Sequence, residues 1–203
     1  SEPSAFDFFL LARRLQRLHA EAPRIGDSAA RKEEYVRYGQ DPFFHFPDTN
    51  LSYAGPAARG PDIRVRFLGL LGPQGALPLS ITEEAYHNLL ANDDAFARFL
   101  DLFNNRFIQL FFRAWADSRP IVHRDRPRDD RFERYVGSAV GLGTDALRNL
   151  DSIPDLVKIG FAGLMSPTTK SASRLHNLIA GVLGVRVEIE EFVGTRLLFE
   201  PDQ

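Results

Sequence analysis

Five histidines, His19, His45, His87, His123 and His176, are the side chains of this chain best suited to acid–base or metal chemistry. None stands at ligand spacing from another, and no HExxH or similar pattern occurs. His123-Arg124-Asp125, with Asp129 and Asp130 close behind, gathers oxygen donors beside an imidazole, but the arginines of the same segment oppose a bound cation. Glu188, Glu190 and Glu191 could offer acid–base carboxylates, yet strand alternation puts Glu188 and Glu190 together on an exposed face. GLLGPQG, residues 69–75, has the glycines of a phosphate loop without the Gly-Lys-Ser/Thr that must follow. No GxSxG elbow occurs, and no cysteine is present for thiolate chemistry, a disulfide or a cysteine metal site. No catalytic residue, cofactor-binding residue or metal ligand is therefore expected, and an enzyme is disfavoured.

The elements that would position such residues come next. The chain has 203 residues, 44% hydrophobic and 26% charged, which is the profile of a folded globular protein. Its 25 basic residues are balanced by 27 acidic ones, so no global charge draws it to nucleic acid or acidic lipid. No run approaches the ~18 apolar residues of a membrane-spanning helix, and FDFFLLA has the wrong flanks for a signal peptide. A cytoplasmic location without direct membrane insertion is expected.

Ser4 and Asp7 resemble a capping box that opens a helix over residues 4–22, with Phe8, Leu11, Leu15 and Leu18 at helical spacing. The arginines Arg13, Arg14 and Arg17 read as the solvated face of that docked helix. Residues 24–61 hold no period and are broken by glycines and prolines, yet carry the aromatic cluster YVRYGQDPFFHFP. A loop ordered by packing is expected there. Ile63, Val65 and Phe67 alternate as a strand, a Gly/Pro turn follows, and a helix is expected from about Thr82 to Leu90. Residues 119–134 alternate charge signs and contain Pro120 and Pro127, which predicts a solvated loop. Beyond it the pattern predicts short helices, one opened by Ser166-Pro167 and ended by Gly184, and a half-buried strand through VRVEIEEF. The class is α+β, mostly helical, with a few short strands and two long irregular loops, in a single domain over 1–203.

The segment DDAFARFLDLFNNRFIQLFFRAWADSRP is the most aromatic of these elements. Phe96, Phe99, Leu100, Phe103, Phe107, Leu110, Phe111 and Trp115 span an arc of roughly 200° on a helix, where a one-sided stripe starts near 100°. Leu102 and Phe112 interrupt the polar remainder, which includes Asp101, Asn105, Gln109 and Arg113. Such a helix must be covered on two sides. Its aromatic arc is expected to face the core of its own domain or a shared core, with Leu102 and Phe112 marking an additional partner-facing side.

FDFFLLARRLQRLH, YVRYGQDP, RFLGLLGPQGALPL, FLDLFNNRFIQLFFRAWADSRP and LGVRVEIEEFVG, in that order, resemble the TssG family, also called ImpH or VasB, of the bacterial type VI secretion baseplate. The resemblance covers essentially the whole chain. It implies a non-enzymatic scaffold of the baseplate wedge that joins two copies of TssF, sits alongside TssE and the VgrG hub, and links to TssK trimers at the cytoplasmic face of the inner membrane. It also implies that members run longer than this chain, with a further C-terminal segment after the FVG strand. For TssF the candidate contacts are Leu102, Phe103, Phe107, Phe111, Phe112 and Trp115. For TssK they are Tyr35, Tyr38, Phe43, Phe44, Phe46, Arg131, Phe132 and Tyr135 on the two irregular segments. A small-ligand enzyme and a nucleic-acid-binding module are the alternatives.

Overall fold

Asp7 opens the first helix, α1 (Phe8–Leu18), by accepting from the backbone N–H groups of Phe9 and Leu10 at 2.9 and 3.1 Å. The structure is a computed structural model that describes residues 7–57 and 60–194. The expected cap at Ser4 lies outside the described residues. Two compact units divide the chain, Ser1–Asp129 and Asp130–Gln203. Helices dominate and a small sheet accompanies them, the α+β class expected from the sequence.

The first unit is built on a three-stranded sheet of order β1-β3-β2. Strand β1 (Arg37–Gln40) runs parallel to β3 (Gly60–Val65), which pairs antiparallel with β2 (Leu51–Ala57). Strand β3 begins and ends a little before the strand expected from the alternation at 63–67. The segment 24–61, expected to be an irregular loop, thus supplies two strands and the start of a third. Short strands broken by Gly39, Gly55 and Pro56 carry too few alternating residues to show a period. Tyr53 and Arg64 meet across a register shift that further blurs the pattern.

Helix α2 (Leu79–Leu90) precedes the long helix α3 (Ala95–Asp117), and a short helix α4 (Pro120–Arg124) follows with proline in its first turn. Side chains from α1, β1, β2, β3, α3 and α4 share one core around Phe8, Ala12, Tyr38, Leu51, Ile63, Val65, Ile108, Phe112 and Val122. A smaller cluster, Leu71, Ala85 and Leu100, lies under the Gly/Pro turn. There Gly72 adopts φ +91°, and a Cβ on it would come within 2.8 Å of the Phe43 ring.

Segment 119–134 also departs from the expected solvated loop. Besides α4 it contains a 3₁₀ turn at Pro127–Asp129 and the start of α5 (Arg131–Ser138). Its charges lash the end of α1 in place. Arg126 donates to the carbonyl oxygens of Gln16, His19 and Ala22 at 2.9, 2.9 and 2.7 Å, in and just beyond the last turn of α1, where a cation is favoured. Arg13 pairs with Asp125, and Arg24 with Asp129. A sequence shows the density of such charges but not their partners.

The second unit holds α5, α6 (Asp155–Gly160), α7 (Ala162–Met165) and α8 (Ala172–Leu183). Asp155 accepts from the Asn149 N–H and from the Lys158 ammonium, both at 2.9 Å. These bonds, the Lys158 one foremost, hold its carboxyl below the usual range. Ser171, not Ser166, caps α8, which ends at the left-handed Gly184 as its sequence signals. Residues 185–190, expected as a strand, join no sheet, because the described residues of this unit contain no other strand to pair with.

Candidate functional site

Helix α3 exposes an aromatic face and buries a mixed one, in which Asp101, Asn104 and Gln109 lie among apolar side chains. Ala97, Leu100, Asp101, Asn104, Ile108, Gln109, Phe112 and Ala116 are buried at spacings of three and four residues. Phe99, Leu102, Phe103, Phe107, Leu110 and Phe111 are exposed by between 41% and 54% on the other side. Of the expected arc, Phe99, Phe103, Phe107, Leu110 and Phe111 thus face away from the core of their own unit, while Leu100 is buried and Phe96 and Trp115 are half-buried.

The reason lies in β1, whose outer edge has no neighbouring strand and would leave backbone groups unpaired. Asn105 accepts from Tyr38 N–H at 2.9 Å and Asp101 accepts from Gln40 N–H at 3.0 Å. Two strand residues advance about 6.6 Å and four helical residues about 6 Å, so an i, i+4 pair on a helix matches an i, i+2 pair on a strand. Asn104 extends the same scheme by accepting from Leu70 N–H at 3.1 Å. Gln40 in turn clasps Leu71, donating to its carbonyl at 2.7 Å and accepting from its N–H at 2.8 Å. Polar residues on this face thus substitute for a fourth strand.

Asp101 also pairs with Arg64, which donates to Asp62 at 3.1 Å. Burial lifts the Asp101 carboxyl above its ordinary range, against the opposing pull of the Arg64 charge and the Gln40 N–H. Burial likewise works against the Arg64 charge, but Asp101, then Asp62 and Asp41, keep its pKa raised. Gly39 makes room for this pair: a Cβ there would lie 2.8 Å from the Asp101 carboxyl carbon.

Of the six residues assigned to the long helix, Leu102, Phe103, Phe107 and Phe111 lie together on the exposed face. Trp115 is half-buried, stacked on Phe9 with ring centroids 4.6 Å apart. Phe112 is fully buried and packs edge-on against Phe8, so it cannot mark a partner-facing side. The helix is turned to place Asp101 and Asn105 on the sheet edge and Asn104 against Leu70, and the same facing carries Phe112 inward.

The residues assigned to the two irregular segments do not form one group. Tyr38 and Phe43 are buried in their own unit, which removes them as exposed contacts. Tyr35 is half-buried and stacks on His19 at 4.3 Å. Phe44 meets Tyr86 edge-on at 5.2 Å, and Phe46 stands largely exposed. In the second unit Arg131 is half-buried, while Phe132 and Tyr135 are exposed on α5.

One feature escaped the sequence reading. Arg31, Arg37, Arg98 and Arg106 converge on a cavity of about 220 Å³ beside the covered edge of β1. These arginines are scattered over 76 positions of sequence, 31 to 106, and only the fold brings them together. No group of histidine, cysteine and carboxylate side chains able to hold a metal occurs among the described residues. No described helix is long and apolar enough to cross a membrane.

Compared with known proteins, residues 2–203 match the family model described as Type VI secretion, TssG. No curated protein and no solved structure matches the chain.

Proposed function

Since the chain belongs to the TssG family of type VI secretion proteins, a component of the secretion baseplate, we propose that it acts as a non-enzymatic scaffold of the baseplate wedge. In this reading it joins two copies of TssF and links them to TssK trimers, with TssE and the VgrG hub as neighbours. The assembly would stand at the cytoplasmic face of the inner membrane.

The supporting observation is the exposed aromatic face of α3. Six large apolar side chains at helical spacing, each roughly half-exposed, form a contiguous stripe on a rigid helix of 23 residues. Contiguous apolar surface of this kind marks interaction sites, and aromatic anchors supply most of the energy of protein interfaces. The inward face of the same helix is already committed to the sheet edge, so the outward face is the one free to take a partner. Leu102, Phe103, Phe107 and Phe111 are the TssF contacts in this proposal. Phe44, Phe46, Phe132 and Tyr135, the exposed ones among the aromatics assigned to the two other segments, are the TssK contacts.

The test is co-purification of the 203-residue chain with TssF after Leu102→Asp and Phe107→Asp are introduced together. Loss of TssF, with the thermal midpoint of the isolated chain unchanged, is expected. Undiminished TssF retention would show that this face is not the junction. For TssK, Phe46→Ala with Tyr135→Ala is the corresponding pair, since removing residues 24–61 would also remove the sheet.

A further inference from the structure

The arginine-lined cavity has the chemistry of a binding site that the scaffold reading does not assign. Its walls are the 3₁₀ turn at Arg31–Glu33, the start of β1 and the first half of α3. Arg31, Arg37, Arg98 and Arg106 line it, together with Glu34 and Asp101. The two carboxylates are already engaged. Glu34 accepts from the Asn105 amide at 3.0 Å, and Asp101 is held by Arg64 and by Gln40 N–H.

The arginines are not equally satisfied. Arg98 pairs with Asp94 at 2.8 Å and reaches Asp101 at 3.5 Å. Arg106 makes only a long contact of 3.5 Å with Gln109. Arg31 and Arg37 have no ion pair and no side-chain hydrogen bond among the described residues. Guanidinium groups facing one cavity repel each other. An oxyanion in the cavity would relieve that repulsion and could accept paired N–H bonds from a planar guanidinium.

We propose that this cavity is a receptor for a carboxylate side chain, an aspartate or glutamate of a protein seated on the adjoining aromatic face. Two features favour a carboxylate over a phosphate. Glu34 and Asp101 already stand in the wall, so a doubly charged group meets more repulsion than a singly charged one. Leu102, half-exposed at the rim and continuous with Phe103, offers apolar contact to the methylenes of an acidic side chain. The proposal rests on the scaffold reading only in taking its carboxylate from a protein partner.

The test is an NMR titration of the full chain with a capped hexaglutamate peptide, following the arginine Nε–H signals, with inorganic phosphate as a second arm. Hexaglutamate is expected to move the signals of Arg31, Arg37 and Arg106, and Arg37→Gln with Arg106→Gln to weaken binding by about tenfold or more. Arg31→Gln, at an exposed position, is expected to weaken it by a smaller factor without any effect on folding. Unchanged affinity in these variants, or movement confined to other arginines, would overturn the assignment. Tighter binding of phosphate than of hexaglutamate at the same arginines would overturn it in favour of a phosphate site. Loss of hexaglutamate binding in the arginine variants, combined with TssF retention indifferent to Leu102→Asp and Phe107→Asp, would leave the cavity standing as an anion site and remove the aromatic face as the TssF junction.

Discussion

Single side chains of this protein hold distant segments together through backbone groups as well as through one another. Arg126 is the clearest case, because its guanidinium reaches three carbonyl oxygens at the end of α1. Arg126→Met keeps the stem and removes the charge. It is expected to lower stability by about 2 kcal/mol or more, the scale of hydrogen bonds that involve a charged group, measured by urea unfolding. Tyr35 offers a readout by pH. Burial pushes its phenol up to about 12, although the Arg126 and Arg24 charges pull the other way. A pKa raised on folding contributes stability that is complete below the ordinary value near 10 and is lost as pH climbs through about 12. An alkaline absorbance titration should therefore show a late tyrosine step that disappears in Tyr35→Phe; a Tyr35→Phe profile identical to the parent would contradict this.

At the scale of the element, α3 carries the main lesson. Phe112 and Phe107 differ little in sequence context, yet one is fully buried and the other roughly half-exposed. Phe112→Ala is expected to cost about 3–5 kcal/mol, the range for truncating a buried phenylalanine, and Phe107→Ala far less. Chemical denaturation of both variants decides it, and a larger loss from Phe107→Ala than from Phe112→Ala would mean that the helix faces the other way. The existence of α1, α2, α3 and α8 could be read from periodicity and end signals, and so could the absence of recognisable catalytic motifs. The facing of α3 could not. Hydropathy assigns Asp101, Asn104 and Asn105 to water, whereas the free edge of β1 and the Leu70 N–H make them the most useful inward residues. That edge was itself hidden, since four-residue β1 contains a glycine and shows no usable alternation. For the same reason the pattern alone does not decide between a core of its own unit and a core shared with a partner for the aromatic face, and the arginines at 31, 37, 98 and 106 have no visible connection in the sequence.

On the scale of the whole molecule, the first unit has an apolar core drawn from helices and strands between Phe8 and Val122. A fragment of residues 1–129 is expected to unfold cooperatively by itself, followed through the single tryptophan, Trp115. A broad, non-cooperative loss of Trp115 fluorescence structure would show that this core is insufficient alone. The side-chain cover on β1 also has a consequence for anyone redesigning the protein. Replacing buried polar residues with leucine is a common route to greater stability, and Asp101 and Asn105 invite it. Here the exchange would strip two amides of their acceptors and uncover a strand rim that can template another chain. The expected product is not a hardier scaffold but one prone to end-to-end polymerisation, so these two positions belong on the list that a redesign leaves untouched.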